Sequence, residues 1–85
     1  MQHEAIIGPV RGHYVVAYAA PGRGKASLFL GGFRVYPFRP ATAAAPGHVA
    51  EAVSPARYPS AEVALHHAGL KGTALAEQLA CGPAP

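Results

Sequence analysis

The chain has 85 residues, 51% of them apolar and 13% charged, with a net charge of +3, four Tyr, three Phe and no Trp. That length suits one compact domain and no second, and its apolar fraction excludes disorder, which requires low hydrophobicity and high charge. Cys81 is the only cysteine and there is no Asp, so an internal disulfide and a cysteine-based zinc site are both excluded.

The first element is a short apolar run at 5–7, Ala-Ile-Ile, stopped by Gly8-Pro9. It reads as an edge strand or as an arm across the core, with residues 1–4 frayed. The first strong strand runs from Gly12 to Ala20. Tyr14, Val16 and Tyr18 alternate with Val15, Ala17 and Ala19, so both faces are apolar. Pro21-Gly22-Arg23-Gly24 is dense in turn formers and predicts a hairpin connection. The second strand is expected from about Lys25 to Tyr36. Gly31-Gly32 in its middle is a bulge, a bend allowing close backbone approach, or a two-residue turn. The bent strand is preferred, because the 12–20 partner is long enough to pair along it.

Pro37 and Pro40 bracket the exit from this strand, and Pro40 to Gly47 reads as loop. In the following stretch Val49, Glu51 and Val53 alternate with Ala50 and Ala52, a third strand of small residues suited to an edge. Pro55 and Pro59 then break the sheet region. Ser60 is a good N-cap and Glu62 complements the helix dipole. Ala61, Leu65, Ala68, Gly72, Leu75 and Leu79 recur at steps of four and three, which places them on one face of a helix reaching about Ala80. A break at Gly69–Gly72, with Thr73 capping a second helix, is the alternative. Gly82-Pro83 ends the element, and residues 82–85 are expected to fray. The fold class is therefore α+β. An antiparallel sheet of three short strands, or four if 5–7 joins, packs in two layers against one long C-terminal helix.

At about 100° per residue, Val63, Leu70 and Ala74 fall opposite the main stripe, with His67 beside them. In a two-layer domain this second apolar strip faces water unless the 1–10 arm or the 37–58 loop covers it. If uncovered, it fits contact with a protein partner or with a second copy, by two-fold association. A charged fraction well under the usual quarter points the same way.

Reactive chemistry finds little support. Gly24-Lys25 is followed by Ala26 and a strand, so the phosphate-binding loop pattern fails. His66 and His67 are adjacent and diverge by about 100°, whereas chelation from a helix needs spacing of three or four. Glu62 and Glu77 are separated by roughly 22 Å of helix rise, too far to share a substrate. No Ser sits in a nucleophile elbow. No cofactor, metal or small-molecule substrate is implied, and the expectation is a non-enzymatic protein-binding or self-association module.

The alternative is salt-sensitive nucleic-acid binding. Residues 1–57 hold six Arg and Lys against Glu4 and Glu51, and Arg23, Lys25, Arg34 and Arg39 would meet phosphates, with strand aromatics stacking bases. Against it, no helix-turn-helix, zinc-finger or RNA-recognition pattern is present. No stretch approaches the roughly 18 apolar residues of a membrane helix or resembles a signal peptide, so cytoplasm is the expected location and no membrane partner is expected.

Overall fold

The computed structural model describes residues 3–22, 28–54 and 56–81. Four strands, β1 (His3–Val10), β2 (His13–Pro21), β3 (Phe29–Tyr36) and β4 (Ala50–Val53), precede one helix, α1 (Ala61–Cys81). They form an open antiparallel sheet in the order β1-β2-β3-β4, each strand lying beside its neighbour in the chain. The α+β class and the C-terminal helix are as the sequence predicts, with the fourth strand present.

The apolar run at 5–7 belongs to a longer edge strand. His3 and Glu4, expected to fray, lie opposite Ala19 and Tyr18, and pairing resumes at Val10 after an irregularity between Ile7 and Val10. Arg11 (φ 49°) and Gly12 (φ 86°) make the two-residue turn into β2. Positive φ at both central positions is the hairpin geometry that matches strand twist. An arginine there gives no turn signal, so the sequence alone starts β2 at Gly12 and shows no hairpin.

Eight consecutive pairs, Tyr14 opposite Tyr36 through Pro21 opposite Phe29, join β2 to β3 without interruption. Gly31-Gly32 is thus neither a turn nor a bulge but the interior of one regular strand. The expected start at Lys25 and the Arg23-Gly24 turn fall outside the described residues; the last recorded link is Gly22 N–H donating to the Leu28 carbonyl at 2.7 Å.

Side chains alternate across the sheet. Val15, Ala17 and Ala19 of β2 and Phe33 and Val35 of β3 face α1, and all are buried. Ser60 caps the helix, its Oγ accepting from Val63 N–H at 3.2 Å. The helix runs unbroken through Gly69 and Gly72, so no second helix starts at Thr73. Of the predicted stripe, Ala61, Ala68 and Gly72 are buried, Leu65 and Leu75 are half-buried, and Leu79 is 39% exposed. Twenty-one residues make a rod of about 31 Å, whereas an eight-residue strand such as β3 spans about 26 Å. Leu79, in the last turn, is thus the least covered member of the stripe. Ala64, Gly69 and Ala76 complete the buried face instead.

Small residues let helix and sheet approach closely. A Cβ on Gly72 would collide with Val15 Cγ1 and crowd Phe33, and one on Gly69 would sit 3.0 Å from Ile7 Cδ1. The helix packs on β2 and β3 and, less, on β1, while β4 reaches the helix-side core only at its margin, where Ala50 packs against the cluster of Val15, Phe33, Val35 and Ala76. On the opposite face Val16 and Tyr36 are covered by Ala43 and flanked by Ile6, Tyr18 and Ala45. The Tyr36 hydroxyl reaches the carbonyls of Ala43 at 3.1 Å and Ala45 at 2.8 Å, which anchors this loop.

Candidate functional site

The outer surface of α1 is the first candidate. Val63 is 37% exposed and Leu70 57%, and Ala74 and His67 are exposed as well. Among the described residues, neither cover considered from the sequence lies over Leu70. The N-terminal arm is β1, built into the sheet, and Ala43 and Ala45 of the long loop pack on the far face. His67 departs from the others, because its ring stacks on Tyr58, with centroids 4.9 Å apart and planes 15° from parallel. Tyr58 is fixed in turn by backbone hydrogen bonds in both directions with Phe29, at 2.8 and 2.9 Å.

Leu70 and Ala74 also border an open groove of about 390 Å³ between α1 and β1. Ile7, Leu65 and Gly69 line its apolar part, and His66, Thr73 and Glu77 contribute polar side chains. The missing Cβ at Gly69 is what brings the Ile7 side chain against the helix. Among the described residues no Arg or Lys lines the groove, and Glu4 is the only charged residue of β1. It is an apolar cleft beside a strand with an open edge.

A second depression, about 410 Å³, lies on the opposite face and is lined by Tyr18, Arg34, Ala43 and Ala44. Arg34 Nε donates to Glu51 Oε2 at 2.9 Å, and its Nη1 to the Ala43 carbonyl at 2.7 Å. The same Glu51 oxygen lies 3.3 Å from His48 Nε2. Burial raises the Tyr18 pKa above 10.0, opposed by the Arg34 charge and aided by Glu51, so its hydroxyl is a neutral phenol near pH 7. Arg34 thus works as an internal tie between β3, β4 and the loop. Arg39 lies with its guanidinium carbon 6.0 Å from the centre of the Tyr14 ring. Arg23 and Lys25 are outside the described residues. The described part of the predicted phosphate-binding set therefore consists of one ion-paired arginine and one over an aromatic ring.

No protein-family model matches the chain, and neither a curated protein nor a solved structure matches it significantly. Geometry and chemistry alone speak to function. Among the described residues no three His, Cys or Glu side chains gather as metal ligands would, and no helix is long and apolar enough to cross a membrane.

The strip Val63–Leu70–Ala74 is visible in the sequence as an angular pattern. Ile7, Leu65 and Gly69 are not, since their part in the groove depends on β1 lying beside α1. The one available signal was the spacing of small residues at 64, 68, 72 and 76, which marks the side of closest approach and so which flanks stay open.

Proposed function

We propose that this chain is a non-catalytic association module that docks on a second copy of itself through the outer strip of α1 and the groove beside it. The supporting observation is Leu70, more than half exposed at the mouth of an apolar cleft in a chain poor in charge. Leu70 is 57% exposed, so leaving it in water forgoes roughly 1 to 2 kcal/mol of burial. A domain of this size has only a few kcal/mol of net stability, so covering the strip adds a sizeable fraction. A lone cysteine fits a reducing compartment such as the cytoplasm.

Sedimentation velocity across micromolar to millimolar concentrations tests this reading. A concentration-dependent rise to twice the monomer mass is expected, and Leu70→Glu should abolish it while the circular dichroism spectrum stays unchanged. A constant monomer mass over the whole range overturns it.

A further inference from the structure

The open edge of β1 defines how the second copy sits. We propose that two chains join β1 to β1 as antiparallel strands about a two-fold axis through Ala5, making one continuous sheet with both helices on the same face. This rests on the self-association reading above and specifies its geometry.

Among the described residues β1 pairs only with β2, so alternate N–H and C=O groups along His3–Ile7 point outward with no strand partner among those residues. Soluble proteins blunt such edges with Lys, Pro, bulges or brevity. The run His3–Ile7 contains no Lys and no Pro, its one charge, Glu4, accepts a hydrogen bond from Ala43 N–H at 3.2 Å, and its register against β2 is regular throughout. The irregular, proline-bearing part begins only after Ile7. The other edge strand, β4, has four residues with Glu51 among them, and is short enough to count as blunted.

Symmetry then fixes the register. A two-fold axis perpendicular to the sheet keeps each side chain on its own face, so facing residues must both be odd or both be even. Centring on Glu4 would oppose two like charges, which is destabilising. Centring on Ile6 would bring Glu4 opposite Gly8, where β1 has already left regular pairing. Centring on Ala5 sets His3 opposite the second copy's Ile7 and Glu4 opposite its Ile6, with no charge facing its own copy. It also places the second copy's Ala5 and Ile7 on the helix side of the sheet, next to the groove bordered by Ile7, Leu65, Leu70 and Ala74. The apolar cleft and the open strand edge are then closed by the same event.

The test uses the whole chain with Cys81→Ala as background. Opposed residues in antiparallel strands have Cα atoms about 4.5 to 5.5 Å apart, inside the roughly 4.4 to 6.8 Å that a disulfide spans. Ala5→Cys should therefore give a covalent dimer when oxidised glutathione takes up the electrons of the two thiols. Glu4→Cys, whose copies would sit diagonally at about 7 to 8 Å, should not. As a readout that needs no substitution, amide exchange over His3–Ile7 in the parent chain should slow as concentration rises. If the parent is dimeric and Leu70→Glu dissociates it, yet Ala5→Cys cross-links no faster than Glu4→Cys and exchange over His3–Ile7 is unchanged, strand pairing is wrong and helix-mediated association stands. A parent that stays monomeric removes both.

Discussion

The Cβ that Gly31 lacks would stand 2.7 Å from the carbonyl oxygen of Ala64. Backbone meets backbone there, with no flexible side chain to give way. One residue on, a Cβ at Gly32 would lie 2.5 Å from Cζ of the Tyr18 ring on the opposite face. The adjacent glycines therefore serve different layers, the first seating the helix and the second seating the tyrosine.

Gly31→Ala should lower stability by about 1 to 3 kcal/mol or more, the usual range for overpacking a tight contact. Urea denaturation would register this as a lower midpoint at unchanged slope. An unchanged midpoint would mean that α1 does not ride on β3 at this spacing.

Two glycines within α1 should respond in opposite ways. Alanine is favoured over glycine in a helix by roughly 1 kcal/mol. At Gly69 the obstacle is the end of the half-buried Ile7 side chain, which can move at the sheet edge. Gly69→Ala should be neutral or stabilising by up to about 1 kcal/mol. At Gly72 the obstacles are buried Val15 and Phe33, and Gly72→Ala should destabilise despite the same helical gain. Thermal melts of the two variants side by side give the comparison.

Tyr36→Phe removes the hydroxyl that reaches both Ala43 and Ala45. A loss of about 1 kcal/mol is expected for such a bond. It should be accompanied by faster amide exchange at Ala43 and Ala45, while the exchange of β2 and of α1 changes only with global stability.

Tyr18 provides a pH signature. Its pKa is raised in the folded chain, chiefly by burial, so the folded state holds this proton more tightly than the unfolded state does. Stability linked to Tyr18 is fully present below its unfolded pKa near 10 and is lost as pH rises through the higher folded value. Tyr18→Phe should flatten the alkaline fall in stability, measured by urea unfolding between about pH 9 and 11. A fall equally steep in the variant would show that the ring is no harder to ionise when folded.

The helix was legible because three independent signals agree: the Ser60 cap, the Glu62 charge and a stripe at steps of three and four. Strand β2 was legible from its alternation. The hairpin at Arg11-Gly12 was hidden because one of its positive-φ residues is an arginine. The stripe follows steps of three and four and so runs on to Leu79, whereas proximity to the sheet buries Ala64, Gly69 and Ala76. Size decided more than oiliness there, since glycine and alanine let two backbones come together. As for the site, exposure of Leu70 follows from angle alone. The groove does not, because Ile7 and Leu65 are more than fifty residues apart in the chain, and pairing His67 with Tyr58 needs the turn that returns the chain to Phe29.

Because α1 lies mainly over β1, β2 and β3, the fourth strand is the least covered part of the sheet, meeting the helix-side core through Ala50. It is fastened along one side by the β3 ladder and by the Arg34–Glu51 tie, and Val53 on it is 56% exposed. An element so lightly covered opens locally at less free-energy cost than unravelling the molecule. Parting β4 from β3 would break the Arg34–Glu51 pair yet leave Arg34 Nη1 on the Ala43 carbonyl, so the cation would stay tethered to the loop.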